Sequence, residues 1–89
     1  MSDRITRIRA RLIESFAPIE CQLEDESALH AGHAGAASGA GHFRLRIVSD
    51  KFENRGRIAR HRLVYDSLGD MMQTEIHALA ITALTPSEA

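Results

Sequence analysis

Two segments, "HFRLRIV" (residues 42–48) and "EIHALAITALT" (75–85), most constrain what this chain can fold into. The first alternates Phe43, Leu45 and Ile47 with His42, Arg44 and Arg46, the period of a strand with one wet face. The second is apolar on both alternate sets and contains Ile76, Ile81 and Thr82, which predicts a strand covered on both faces or lying centrally. Between them "SDKFENRGR" is turn-rich, and a helical pattern runs from about Arg57 to Met72. A strand, a helix and a strand make a βαβ unit. Its crossover is right-handed in nearly all proteins, so the two strands should run parallel in one sheet.

Upstream, residues 3–16 read as an amphipathic helix. Ile5, Ile8, Leu12, Ile13 and Phe16 fall on one side, Arg4, Arg7 and Arg11 on the other, and Ser2 or Asp3 can cap the start. Pro18 ends it, because the residue before a proline avoids helical backbone. "IECQLE" (19–24) then alternates, with Ile19, Cys21 and Leu23 toward the core and Glu20, Gln22 and Glu24 outward. The predicted order is α-β-β-α-β: a single α+β domain over residues 1–89, with a mixed three-stranded sheet and the helices on one face. Residues 28–41 form a long connection between the first two strands, rich in Ala and Gly and expected to be flexible.

A chain of 89 residues holds one modest core. Aromatics are few (Phe16, Phe43, Phe52, Tyr65, no Trp), so Ile, Leu, Val and Ala must fill it. In the second helix Ile58, Val64, Tyr65, Leu68, Met71 and Met72 gather on one side of the wheel. His61 falls in the middle of them as a buried, hydrogen-bonded imidazole, and Leu63 projects the opposite way toward a possible partner. Net charge is −1, which excludes a global basic field. Locally, Arg44–Arg62 carries seven Lys/Arg against Asp50 and Glu53, while residues 20–26 carry Glu20, Glu24, Asp25 and Glu26. The single cysteine, Cys21, excludes an internal disulfide and any all-cysteine metal site in one chain, and its place on the apolar set makes it a core residue. The start "MSDRITRIRARL" has no apolar signal core, and no run approaches the ~18 apolar residues of a membrane span; a cytoplasmic protein is expected.

No P-loop, dinucleotide-binding glycine fingerprint or Cys-x-x-Cys pair is present, and no carboxylate pair or nucleophile triad can be assembled, so an enzyme is not expected. The histidines carry what chemistry there is. His30, His33 and His42 lie in "ALHAGHAGAASGAGHF", and His77 opens the last strand. Neutral imidazole is a common ligand for borderline metals and ligates iron in some two-iron clusters. Two histidines leave a metal site open or shared with a second molecule.

The combination of "RIVSDKFENRGRIARHRLVYDSL" and "EIHALAITALTP", with "DES" before the loop and "HF" after it, resembles the BolA family over nearly the whole chain. The resemblance implies a fold similar to the class II KH domain. It also implies a heterodimer with a monothiol glutaredoxin. The pair would hold a [2Fe–2S] cluster between the glutaredoxin cysteine, glutathione and the BolA-like chain, in iron–sulfur trafficking or iron homeostasis. On this chain the implied ligands are His77 and His30, with His33 and His42 as alternatives; the isolated chain would carry no cluster and be a monomer or weak homodimer. The family is also described as DNA-binding transcriptional regulators of morphology and stress response, a role that Lys51, Arg55, Arg57, Arg60 and Arg62 would carry. "ENRGR" lacks the Gly-x-x-Gly grip of a KH domain, so such binding would rest on salt-dependent phosphate contacts. Asn54 stands where many relatives have Gly, a position asking for left-handed backbone, and the C-terminal helix of longer relatives is reduced or missing.

Overall fold

The structure is a computed structural model that describes residues 4–27 and 41–89. Helix α1 (Arg4–Phe16) buries Ile8, Leu12 and Phe16, an i, i+4, i+8 stripe. Ile13 stands on the shoulder of that stripe and is 49% exposed, so the predicted core face was drawn too wide. The helix closes with the Ala17 N–H donating to the Ile13 carbonyl at 3.0 Å, Ala17 in left-handed backbone (φ 43°), and Pro18 unable to continue.

β1 (Glu20–Asp25), β2 (Gly41–Val48) and β3 (Ile76–Leu84) form one sheet in that order, with β1 antiparallel and β3 parallel to β2. β2 is central and sends Phe43, Leu45 and Ile47 into the core under the helices. Ile19 departs from the predicted alternation and is 73% exposed. Its N–H donates to the Val48 carbonyl, although Glu20 is the residue that faces Val48, so the backbone is bulged before β1 begins. Cys21 is half-buried and packs against the core; burial pushes its thiol pKa up, with Arg9 pulling against it.

β3 is an edge strand, contrary to the covered strand its composition suggests. The helices cover one face of the sheet only. Leu79, Ile81 and Ala83 pack on the core, while Ala78, Ala80 and Thr82 face outward and are exposed. Small side chains there made both alternate sets read as apolar, but they bury little area.

After β2, Ser49 is fully buried. Its hydroxyl donates to the Phe16 carbonyl (2.7 Å) and accepts from the Lys51 N–H (3.1 Å), starting a single 3₁₀ turn over Asp50–Phe52. Phe52 drops from that turn onto Phe16 (ring centroids 5.0 Å). Asn54 takes the left-handed backbone expected of it (φ 62°).

The helix predicted over 57–72 is two: α2 (Arg57–Leu68) and α3 (Met71–Thr74). Gly69 breaks it in positive-φ backbone (φ 56°), its N–H closing on the Tyr65 carbonyl. From α1, Arg11 donates to the Ser67 and Leu68 carbonyls, a cation on the negative end of α2. The buried face of α2 centres on Val64 and Leu68. Leu63, expected to face away, packs against the core, and His61 is half-buried. Ile58 (76% exposed) and Tyr65 (41%), expected inside, form a second stripe on the far side, which neither the sheet nor α1 reaches.

Candidate functional site

The predicted site residues that the structure brings together are His42 and His77. Across β2–β3, Gly41 faces Ile76 but His42 faces Ala78, so the register slips by one and His77 is the extra residue of β3. A bulge of this kind re-aims a side chain. The two imidazoles stand with ring centroids 5.1 Å apart, tilted by 56°. His77 is exposed; His42 is half-buried, with its Nε2 below the surface. His30 and His33 lie outside the described residues, as does the connection of residues 28–41 apart from Gly41, which opens β2.

Neighbouring residues fix the pair. The His42 N–H donates to the Ser27 hydroxyl (3.1 Å), and the Gly41 N–H donates to the Glu75 carbonyl (2.9 Å), tying the start of β2 to both flanking strands. Asp25 accepts the Ser27 N–H at 2.9 Å, and hydrogen bonds from Ser27 lower its carboxyl pKa. Gly41 is required by space: a Cβ there would stand 2.7 Å from the Phe43 ring and 2.9 Å from the Ser27 hydroxyl. Gly41→Ala should therefore destabilise the chain by about 1–3 kcal/mol, the cost of overpacking, and shift the His42 and His77 ring resonances together. Urea melts and side-chain NMR check this; an unchanged midpoint would show that the strand start yields freely.

The predicted basic surface is smaller than the sequence suggests. Arg44 pairs with Glu26 (3.0 Å) and Arg46 with Glu20, so β1 neutralises the outward arginines of β2. Arg60 is also withdrawn from the expected binding set. It is 12% exposed, donating to the Arg55 and Ala83 carbonyls and, through both terminal nitrogens, to Glu88 (2.6 and 3.2 Å). Glu88 sits in a 3₁₀ turn (Pro86–Glu88) whose capping box with Thr85 brings it to Arg60. Lys51, Arg55, Arg57 and Arg62 are exposed and make no ion pair among the described residues.

The Arg60 guanidinium, with the Thr85 N–H, lowers the Glu88 carboxyl from its ordinary 4.5 to about 2. A depressed folded-state pKa stabilises above the unfolded value and loses that contribution as pH falls through the folded one. The melting difference between wild type and Glu88→Gln should thus be full above about pH 5 and vanish near pH 2; a difference that persists unchanged at pH 2 would refute the assignment.

Among the described residues no three His, Cys, Asp or Glu side chains gather into a metal site, and no helix is long and apolar enough to cross a membrane. An antiparallel hairpin joined through a helical crossover to a parallel edge strand, with paired histidines on the inner strand and that edge, defines a small α+β domain with one chemically equipped end. Residues 12–88 match the model of the BolA-like protein family, and the chain belongs to that family. It is 45% identical over 93 residues to SufE-like protein 1 of Arabidopsis thaliana, covering 99% of this chain but only 25% of that protein. The solved BolA domain of Arabidopsis SufE1 is similar to the structure with a TM-score of 0.87 and 44% identity, over 100% of this chain and 99% of that one. Escherichia coli BolA, named a DNA-binding transcriptional regulator, is 37% identical over 82 residues, 92% of this chain and 75% of its own length.

Proposed function

We propose that this chain is a partner of a monothiol glutaredoxin that shares a [2Fe–2S] cluster with it, in iron–sulfur trafficking or iron homeostasis. The observation that carries the reading is the His42–His77 pair, set by a bulge at the end of an edge strand. The donor chemistry fits: His77 offers an exposed imidazole, and His42 packs beside it. His77 is the ligand in this reading, His30 the second, and His42 the neighbour that holds the His77 ring. Histidine in place of a cysteine raises a cluster's potential, and ligands divided between two chains suit a cargo that must be handed on. The test is anaerobic reconstitution with a monothiol glutaredoxin and glutathione, followed by visible absorption and circular dichroism. The wild-type chain should change the spectrum of the glutaredoxin cluster. A spectrum identical with and without the chain would sink the reading.

A second reading, DNA binding, is favoured by the name of the E. coli relative and by exposed Lys51, Arg55, Arg57 and Arg62. With Arg44, Arg46 and Arg60 paired internally, four cations remain for phosphates. Binding through them would be weak and steeply salt-dependent.

A further inference from the structure

The outer edge of β3 is bordered by no further strand among the described residues. The Ser49 N–H donates to the Leu84 carbonyl, which fixes the parity of the strand. Leu84, Thr82 and Ala80 turn their backbone groups toward β2, so Leu79, Ile81 and Ala83 turn theirs to the outer edge. One of those groups is filled: the Ala83 carbonyl accepts from Arg60 at 3.0 Å, and Arg60 is held in turn by Glu88. The N–H and carbonyl groups of Leu79 and Ile81, with the Ala83 N–H, make no hydrogen bond among the described residues. Such a row is a template for one more strand.

The neighbouring helix sets what that strand can be. α1 lies over β1 and α2 over β3, so the side of α2 turned away from α1 overhangs the free edge. Arg57 and His61 stand on that side and, with Arg55, Ile81 and Thr82, line a groove of about 510 Å³ along the last residues of β3. Exposed Ile58 and Tyr65 continue it; with His61 they are spaced i, i+3 and i+7 and share one face of the helix. A strand added beside β3 carries every second side chain into this groove. Apolar ones there cover Ile58 and Tyr65, and acidic ones meet the cations. Among the groove's charged residues Arg60 and Glu88 cancel, while Arg55 and Arg57 make no ion pair among the described residues, so the groove is positive. A nucleic acid would satisfy the charge but has no strand to offer the open amides and no apolar side chain for Ile58. We propose that the outer edge of β3 is a docking surface for an extended peptide segment of a partner protein, acidic at the end near Arg55 and Arg57 and apolar at alternate positions toward Tyr65. At about 3.3 Å per residue, Ala83 lies roughly 20 Å along the strand from His77. The proposal therefore does not depend on the cluster-sharing reading.

The full chain is tested against a displayed library of random dodecapeptides at low salt, and the enriched peptides are synthesised and titrated by fluorescence anisotropy. Acidic residues beside alternating apolar ones should be enriched. Methylating the backbone nitrogens of one alternate set in the best peptide should abolish binding. Methylating the other set should leave it nearly unchanged, because an added strand pairs only every second residue with its neighbour. Arg57→Glu should weaken binding by about 2- to 30-fold, the strength of an exposed ion pair lost and then reversed. Arg57 is exposed in the first turn of α2, where an acidic residue suits the helix, so the melting temperature should not fall. Ile58→Ser should weaken binding by about tenfold, from the area of one covered aliphatic side chain, again without a change in melting. Library sequences without acidic residues, equal effects from methylating either set, affinity indifferent to residue 57, or a single-stranded oligonucleotide that binds more tightly than the best peptide and is weakened by Arg57→Glu would each overturn the proposal.

Discussion

Phe52→Ala should lower the free energy of unfolding by about 3–5 kcal/mol, the cost of emptying a fully buried aromatic site. Phe52 has no exposed surface and packs on Phe16, and the turn that carries it is pinned by buried Ser49 to the end of α1. One side chain thus joins the first helix, the central strand and the entry to α2. A chain of this length has a total stability of roughly 5–13 kcal/mol, so the loss would remove from about a quarter to all of it. Little collapse is expected to soften the cost, because Ile8 and Leu12 are fixed on α1 and Leu45 and Ile47 on the central strand β2. Urea denaturation should show a lower midpoint with an unchanged slope. A loss below about 1 kcal/mol would mean that the cavity closes and that the turn is not the tie described above.

The strong periodicities were legible without the structure. α1, β1 and β2 each have one buried face, and a single wet face leaves a clean alternating or helical pattern in Ile8, Leu12 and Phe16 or in Phe43, Leu45 and Ile47. The order of elements and the parallel crossover followed from them. Misreadings came where apolar character and burial part company. Ala78 and Ala80 looked buried because they are apolar, yet they are small and face solvent; Ile58 and Tyr65 are large and still lie outward. A helical wheel gives relative angles only, and the tertiary contact that picks the inward direction of α2 is not local. The site divides the same way. His77 and the other histidines could be named from residue type, but the approach of His42 depends on a one-residue register slip that no local pattern announces. The shrinking of the basic surface was equally hidden, because Arg60 meets Glu88 across 28 positions of chain.

His77→Ala should abolish the effect of the chain on a glutaredoxin cluster spectrum, while His42→Ala should weaken it only in part. The difference follows from exposure: the His77 imidazole reaches solvent, and the His42 ring lies half-buried against it, with Nε2 inward. Losing an iron ligand is close to all-or-none for a shared cluster, whereas losing the packing neighbour frees the His77 ring to sample other rotamers at the cost of ordering it again on binding. His30→Ala should match His77→Ala if His30 is the second ligand, and His33→Ala should be near wild type. Because His77 is exposed at a strand end, its substitution should leave the melting temperature almost unchanged, which separates loss of ligation from loss of fold. Should His42→Ala prove as damaging as His77→Ala while His30→Ala is silent, the two paired histidines of the sheet are themselves the ligands and the connecting segment has no part in holding the cluster. Should all four variants behave as wild type, whatever change the chain produces does not pass through histidine, and the pair at the end of β3 has a structural role alone.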